Sequence, residues 1–425
     1  MLHLVEDDAD TPAHYSAQAA ILTDTLGATL QHLAARFDED RFPDAVQHVT
    51  WDGALVPSGL IWSDRLSGQP VTSARSAEDL IANAANAAVI VPVHPGTEGG
   101  LAKLDALSAL AARSHVATAR YRVMRAHGLV ETVELEQAGS TGGLPRIVTR
   151  AQQDRFGRWT WSAPHAQRGP AAALPATDAR KRTASASVHI ALIGREADQR
   201  DTYPATLAAL ADAADAQAID ISIGFVSPHD LNDTSAEEAL RAFDGIVLPG
   251  GADMTRVPGQ IAAAAYAWRA SRPVVGLCLG MQSMATAIAR LAMHTNDVGL
   301  MEAQPDARIL SFVPIGADRS AAPVHRLGRH PLDVAPSSRL NAILGERQWI
   351  HCNHRYRLNP ELDVPLSSVG VEIVARDASG RIADAIEARN HPFFIGMQGH
   401  PELSSASGAP HPLLSAFLRA AADRA

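Results

Sequence analysis

The second half of the chain alternates short apolar runs with longer amphipathic runs, beginning at residue 187. A short apolar run bounded by turn residues is typical of a buried strand, and apolar positions at helical spacing predict a helix. These segments follow one another in the order VHIALIG, YPATLAALADAADAQ, DISIGFV, EEALRAF, GIVLPGG, QIAAAAYAWRA, PVVGLCLG and MQSMATAIARLA. Since strands joined through helices pair in parallel, we predict an α/β fold with a doubly wound, mostly parallel sheet of the flavodoxin-like type.

The remainder of the chain has a more mixed pattern. Later strands are predicted near 309–313, 347–358, 371–376, 381–387 and 393–398, and a closing helix from 412 onward. In the first part, helices are predicted over 14–36 and 101–113, and strands over 87–94 and in RYRV, VETVELE and RWTWS. We therefore predict a separate mixed α/β domain of unknown role over 1–163 and the α/β domain over 187–425. Residues 164–186, where Ala, Pro, Ser and charge replace any apolar period, are the predicted linker.

Composition narrows the classes of function. The formal net charge is −9 and 46% of residues are hydrophobic, which is typical of a soluble globular protein and argues against broad binding to nucleic acid. The acidic start lacks the apolar core of a leader peptide and no stretch suits a bilayer, so we expect a cytoplasmic protein. The two cysteines exclude a disulfide framework. No phosphate-binding glycine motif occurs, which argues against ATP-driven chemistry within this chain.

One cysteine lies in a pattern that predicts a nucleophile. Cys278 stands between an apolar run and an amphipathic run and is flanked by Gly276 and Gly280. This G-x-C-x-G is the strand-to-helix turn that exposes a nucleophile, and glycines are needed where neighbouring backbone comes close. The N-terminus of the following helix favours the thiolate, and the Leu279 N–H would face a developing oxyanion.

Two further turns complete the predicted site. In LPGGAD, Gly250 and Gly251 follow an apolar strand and can present backbone N–H groups to the same substrate oxygen. In GMQGHPE, a strand ends and delivers His400 and Glu402 two residues apart. Alternate residues of a strand share a face, so the carboxylate can orient an imidazole that takes the thiol proton. Each turn alone is a weak signal, and their order along the chain strengthens the prediction.

With these motifs assembled, residues 187–422 resemble the class I glutamine amidotransferases, and within that superfamily most resemble the glutaminase domain of the CTP synthases. The resemblance is carried by DGIVLPGGAD, VPGQIAAAAYAWRASRPVVGLCLGMQ, RLG at 326–328, NHRYRLN at 353–359 and GMQGHPE. It implies a triad of Cys278, His400 and Glu402, with no cofactor in this domain. It also implies that Gly250 binds substrate, that Gln282 contacts the glutamine amide, that Glu302 holds the α-amino group and that Arg355 clamps the α-carboxylate.

The chain also departs from that family. Residues 1–186 show nothing like the synthetase domain of the CTP synthases, so the resemblance does not support CTP formation. Gly399 stands where these enzymes usually have an aromatic residue, and we expect its small size to widen the pocket or loosen the histidine. The S-T-E-F stretch of the family is reduced here to Glu302, and Asn353 stands where an arginine precedes His-Arg-Tyr.

Three functions remain open on the sequence. The first is hydrolysis of L-glutamine through a cysteine thioester, with ammonia supplied to an acceptor site in the first domain or on a partner protein such as a biosynthetic enzyme. The second is hydrolysis of a larger γ-glutamyl amide, which a small residue at 399 would permit. The third is a degenerate binding or regulatory module. Homo-oligomer formation also stays open.

Other chemistry-bearing residues favour structural interpretations. Cys352 lies between His351 and His354, but the spacing fits no standard metal site. The acidic run Glu6, Asp7, Asp8 and Asp10 more simply caps or solvates a terminus than binds a cation. The segment HPGTEGG at 94–100, after a predicted strand, is the best candidate for a ligand loop in the first domain.

Overall fold

The computed structural model describes residues 1–56, 59–96, 100–126, 128–135, 146–163, 186–316 and 324–424. These residues fall into two compact units. The N-terminal unit comprises the described residues up to 163 together with Arg200–Pro204, and the C-terminal unit comprises 186–199 and the residues from 205 onward. The predicted linker lies outside the described residues except for its last residue, Ala186, which begins a strand.

The N-terminal unit is a mixed α/β unit. Its strands are β1 (Leu2–Glu6), β2 (Thr29–Leu30), β3 (Val89–Val93), β4 (Thr118–Ala126), β5 (Leu129–Leu135), β6 (Arg146–Gln153) and β7 (Trp159–Ser162). Its α-helices are α1 (Ala17–Leu26), α2 (Asp64–Ser67), α3 (Ala77–Asn86) and α4 (Gly100–Arg113). The sheet order is β2-β3-β1-β4-β5-β6-β7. Neighbours from β2 to β4 are parallel, and those from β4 to β7 are antiparallel.

Hydrophobic patterning explains why the central strands of this sheet are buried. It does not explain the length of α1. Strands β1 and β3 are buried along their whole length, as expected of parallel strands covered on both faces. The helix predicted over 14–36 is shorter, because α1 ends where Gly27 adopts a left-handed conformation with φ of 60°. The chain then forms β2. The sequence pattern also missed β1, α3 and β6.

The C-terminal unit contains the remaining elements. Its strands are β8 (Ala186–Ile193), β9 (Ile219–Val226), β10 (Gly245–Leu248), β11 (Val274–Leu277), β12 (Val298–Leu300), β13 (Ile309–Pro314), β14 (Arg326–Pro331), β15 (Asp333–Val334), β16 (Trp349–His354), β17 (Tyr356–Leu358), β18 (Val371–Arg376), β19 (Ala383–Ala388) and β20 (Phe394–Met397). Its α-helices are α5 (Ala205–Gln217), α6 (Ala236–Leu240), α7 (Val257–Arg269), α8 (Leu279–Ala292), α9 (Arg339–Leu344), α10 (Asp363–Ser368) and α11 (Pro412–Ala422).

The main sheet of this unit has eight strands in the order β15-β18-β19-β20-β11-β10-β8-β9. The five strands from β20 to β9 are mutually parallel, and β19, β18 and β15 extend the sheet in antiparallel pairing. The prediction of a mostly parallel, doubly wound sheet is confirmed. Two small sheets, β12-β13-β17 and β14-β16, lie outside it. The strand predicted over 347–358 is divided at Arg355 into β16 and β17.

Burial places α8 at the centre of the C-terminal unit. Its first eleven residues are buried, and they join the core formed with α7 and the central strands. The helix begins one residue after β11 ends, and both β11 and the start of α8 are buried. The junction between them is therefore fixed by core packing before and after it. In the part of the chain that the structure describes, no helix combines the length and the apolar character that crossing a bilayer requires.

Candidate active site

The β11–α8 junction holds Cys278 in a strained conformation. Its φ of 49° and ψ of −106° lie where a residue with a side chain is rarely found. The Cys278 N–H donates a hydrogen bond to the Met397 carbonyl at 2.8 Å, which ties the turn to the end of β20. Strain of this kind persists only where the surrounding structure imposes it, and it is concentrated at functional sites.

The two flanking glycines are required by close approach. A Cβ atom on Gly276 would meet the sulfur of Met284 and the backbone of Gly280. A Cβ atom on Gly280 would meet the carbonyl group of Leu248, at the end of β10. The G-x-C-x-G spacing therefore reflects three chain segments packed against one another, as the sequence predicted.

Glu402 orients His400. The Nδ1 atom of His400 lies 2.7 Å from Oε1 of Glu402, and both side chains are buried. The imidazole is also close enough to Cys278 for the charge of the sulfur to act on it. The route to this arrangement differs from the prediction of alternate residues on one strand: β20 ends at Met397, and Glu402 lies in the single 3₁₀ turn Pro401–Ser404. The turn, with proline in its first position, folds the carboxylate back onto the ring.

The electrostatic environment keeps His400 charged. Burial alone would lower the pKa of its imidazole, but the charges of Glu402 and Cys278 and the hydrogen bond to Glu402 raise the pKa to about 10. Its neighbours on β16 behave in the opposite way. Burial, aided by the charge of His400, lowers the pKa of His351 to about 4 and that of His354 to about 3. The imidazolium of His400 therefore lies beside Cys278, and the nearby His351 and His354 are neutral.

The predicted oxyanion donors lie at neighbouring strand ends. Leu248 pairs with Gly276 in the parallel register of β10 and β11, so Gly250 and Gly251 follow one strand just as Cys278 follows the next. Leu279 is the first residue of α8, where N–H groups have no partner within the helix. Their roles as oxyanion donors, and that of Gly250 as a substrate contact, stay predictions.

Gln282 lies one helical turn after the nucleophile and is buried. Its Nε2 donates to Oε1 of Gln398 at 3.5 Å, and Nε2 of Gln398 lies 3.9 Å from the Cys278 sulfur. The contact made by Gln398 was missed by the sequence analysis. The sequence feature that could have revealed this contact is the position of Gln398, which lies two residues before His400 and directly after β20.

Glu302 and Arg355 form a second, more exposed group. Partial burial raises the pKa of Glu302, and the nearby charge of Arg355 opposes the rise. The carbonyl oxygen of Asn353, two residues before Arg355, lies 3.9 Å from the Cys278 sulfur. The β16–β17 segment thus runs from the nucleophile to the guanidinium. The roles of Glu302 and Arg355 in holding substrate stay predictions.

The space beside Gly399 is filled, contrary to expectation. A Cβ atom at this position would clash with the side chain of Ile350 and with the carbonyl oxygen of His351. The same carbonyl accepts the His400 N–H at 2.8 Å. The small residue at 399 therefore neither widens the pocket at this point nor loosens the histidine, because β16 occupies the space and its His351 carbonyl fixes the histidine backbone.

A buried ion pair attaches the β14–β16 sheet to the main sheet. Arg326 on β14 binds both carboxylate oxygens of Asp384 on β19, and both side chains are buried. The ligand atoms of Cys352, His354 and Asp384 lie within 4.8 Å of one another. Because the guanidinium already neutralises Asp384, this cluster is a packed support for the site, which agrees with the structural interpretation of Cys352.

The acidic run of the N-terminal unit is neutralised by arginines. Glu6 pairs with Arg120 and Arg122, Asp7 and Asp8 pair with Arg125, and Asp10 pairs with Arg41. This supports the structural interpretation of the run over a cation site. Of the candidate ligand loop 94–100, residues 97–99 lie outside the described part of the chain.

The fold and the site together define an α/β unit with a cysteine at a strand-to-helix turn and a His–Glu pair at the next strand end. Comparison with known proteins identifies the class more closely. Residues 219–420 match the family model "Glutamine amidotransferase class-I". Residues 219–420 of the C-terminal unit are therefore similar to the class I glutamine amidotransferases, and the predicted resemblance is confirmed.

The individual relatives match a little over half of this chain. The chain is 34% identical to the CTP synthase of Chloroflexus aggregans over 249 residues, which are 58% of this chain and 46% of that protein. It is 32% identical to the CTP synthase of Roseiflexus castenholzii over 253 residues, with 58% and 45% covered. The glutaminase domain of the Trypanosoma brucei CTPS, solved with bound acivicin, has a TM-score of 0.53 and 27% identity, covering 56% of this chain and 95% of that one. The chain thus spans about half the length of these curated relatives.

Proposed function

We propose that the C-terminal unit hydrolyses the γ-carboxamide of L-glutamine through a thioester on Cys278 and supplies the ammonia to an acceptor. The observation that carries the proposal is the strained Cys278 at the start of α8, which acts electrostatically on a His400 that Glu402 orients. A nucleophile, a base and a group that orients the base are the parts that covalent amide hydrolysis requires.

In the proposed reaction, the Cys278 thiolate attacks the amide carbon and the carbonyl oxygen becomes an oxyanion. Backbone N–H groups of Gly251 and Leu279 stabilise that charge. The imidazolium of His400 then gives its proton to the amide nitrogen, the carbon–nitrogen bond breaks, and ammonia leaves. Neutral His400 takes a proton from water, the hydroxide attacks the thioester, and the second oxyanion collapses to release glutamate and the thiolate. Each step uses side chains, backbone and water alone, so the proposal includes no cofactor.

Substrate selection is assigned to four residues. Gln282, with Gly250, would contact the amide end of glutamine, Glu302 would accept hydrogen bonds from its α-ammonium group, and Arg355 would bind its α-carboxylate. A planar guanidinium suits a carboxylate because two parallel N–H groups can engage both oxygens.

The ammonia acceptor is proposed to lie in residues 1–163 or on a partner protein. The relatives named above are CTP synthases, but the chain spans about half their length and the family model does not reach the N-terminal unit. The proposal therefore includes ammonia supply and leaves CTP formation out.

The first test is glutamate release from L-glutamine by the whole chain, with and without added nucleotides. We expect activity in the wild type, none in Cys278→Ala, and wild-type activity in Cys352→Ala, which removes the other cysteine. Cys352 is fully buried, and burial raises the pKa of its thiol well above the usual range. Equal activity in Cys278→Ala and the wild type would refute the proposal.

A second test separates a glutaminase from a non-catalytic module. Acivicin is bound in the trypanosomal glutaminase structure. We expect it to form one covalent adduct per wild-type chain, on Cys278, as measured by mass spectrometry, and we expect glutamine to slow this labelling. Labelling should persist in Cys352→Ala and vanish in Cys278→Ala. A module kept only for its surfaces would stay unlabelled. Since Ile350 fills the space beside Gly399, we expect larger γ-glutamyl amides to be poorer substrates than glutamine.

A further inference from the structure

A cavity of about 600 Å³ lies within the N-terminal unit. Its walls come from the loop after β1, the loop after β2, the end of β3 and one residue of α4. These three strands are neighbours and parallel, so their carboxyl ends open at the same edge of the sheet. That edge is where open α/β sheets bind ligands, and the volume is within the range of small-molecule sites.

One part of the wall is aromatic and apolar. Tyr15, Phe37 and Phe42 line the cavity together with Leu33 and Pro92. Burial raises the pKa of the Tyr15 hydroxyl above the usual range. Tyr15 therefore keeps its proton as a donor beside flat apolar surfaces, a combination that suits a planar ring with a polar edge.

The charged part of the wall has an excess of available cations. Arg41 pairs with Asp10 at 3.4 Å, and the Asp38 carboxylate accepts the Arg41 backbone N–H at 3.1 Å. Arg36 and Lys103 also line the cavity, and neither has a carboxylate partner among the residues that the structure describes. Asp10 and Arg41 neutralise each other, which leaves two cations, Arg36 and Lys103, against the single carboxylate of Asp38.

We infer that this cavity binds a small molecule that carries a planar ring and an anionic group, either a carboxylate or a phosphate. The ring packs against Tyr15, Phe37 and Phe42, and the anion pairs with Arg36 and Lys103. Binding of this kind is independent of the glutaminase chemistry. That the bound molecule is the ammonia acceptor is a further step, and it rests on the proposed function.

The test uses calorimetric titration of the full chain carrying Cys278→Ala, which separates binding from glutaminase turnover. The probes are adenosine monophosphate and benzoate, each beside its neutral counterpart, adenosine or benzamide. We expect at least one anion to bind with a Kd below about 1 mM and its neutral counterpart about tenfold more weakly. Binding of the phosphate alone or of the carboxylate alone identifies the anion.

The matched variants are Arg36→Ala with Lys103→Ala, and Arg113→Ala as the control. Arg113 ends the same helix as Lys103, is exposed and lies outside the cavity wall. The double variant should weaken binding of the anion at least tenfold, and the control should leave it unchanged. The inference is overturned if neither anion binds, if the neutral probes bind equally well, or if the double variant binds like the control. Since the glutaminase is silent in every arm, failure here would leave the proposed function untouched.

Discussion

The two units hold their candidate sites by different means. In the C-terminal unit, the nucleophile turn depends on backbone strain at Cys278 and on two glycines that let three chain segments meet. In the N-terminal unit, the cavity is lined by residues from two loops, the end of β3 and α4, and no glycine spacing or paired motif marks it. A site built from local backbone geometry leaves a short pattern in the sequence, whereas a site assembled from distant loops is visible only once the chain has folded.

The largest expected effect comes from removing the charge that orients the base. Glu402→Gln keeps the shape of the carboxylate but loses the charge that raises the pKa of His400. We expect glutamate release to fall about a thousandfold, which is roughly 4 kcal/mol of transition-state stabilisation. Glu361→Gln, which changes an exposed carboxylate, should have no effect. A loss of less than tenfold in Glu402→Gln would show that the pair is structural.

The raised pKa of His400 also predicts that the stability added by Glu402 depends on pH. The folded-state pKa of His400, about 10, lies above its ordinary value of 6.5. The stabilisation from its charged form is therefore complete below pH 6.5 and is lost as the pH rises through about 10. The difference in unfolding free energy between wild type and Glu402→Gln should shrink over that interval. A difference that stays constant from pH 6 to pH 10 would contradict a charged His400.

The next effect concerns the packing of the nucleophile turn. Gly280→Ala places a methyl group against the Leu248 carbonyl, and we expect a loss of about 3 kcal/mol in the free energy of unfolding, measured with denaturant. Gly370→Ala is the control, because nothing lies within 4 Å of the added atom and only its positive φ of 86° disfavours alanine. That control should cost about 1 kcal/mol. Equal losses would mean that close approach is not the reason for Gly280.

The support behind His400 predicts a smaller, coupled effect. Gly399→Phe introduces a ring where Ile350 and the His351 carbonyl already lie, and it should cost about 2 kcal/mol of stability. Ile350→Ala alone leaves a cavity and should cost a similar amount. The double variant should be more stable than the sum of the two losses predicts, since the ring can fill the vacated space. Additive losses would show that Ile350 does not occupy the place of the ring.

The sequence could predict the C-terminal sheet and the elements carrying Cys278, His400 and Glu402, because these depend on hydrophobic period and on turn residues close together in the chain. It could not predict that Glu402 reaches the imidazole through a 3₁₀ turn, since His-Pro-Glu is equally compatible with an extended end. It could not predict the filling of the space at Gly399 either. That depends on β16, which lies some fifty residues away and contributes Ile350 by tertiary packing.

In the N-terminal unit the prediction of a mixed α/β fold agrees with the sheet. The sequence analysis nevertheless missed the residue that ends α1 and the residues that begin α3. Gly27 ends α1 well before the apolar period fades, and α3 begins at a capping box that the hydrophobic pattern did not reveal. The loops that line the cavity show no periodic spacing of apolar residues. Their arrangement is set by the parallel strands that precede them, and a single sequence does not specify which strands become neighbours.

The smallest predicted effect tests the local signal in the N-terminal unit. The Ser76 hydroxyl accepts the Asp79 N–H at 3.1 Å, and the Asp79 carboxylate accepts from the Ser76 backbone. Ser76→Ala should therefore cost about 1 kcal/mol and speed amide hydrogen exchange in the first turn of α3. Exchange in α4, a neighbouring helix without this change, is the internal control. Unchanged exchange at Leu80 and Ile81 would show that packing in the core, where both side chains are buried, fixes this helix without help from its cap, and the N-terminal unit would then lack even the local sequence signal that marks the other site.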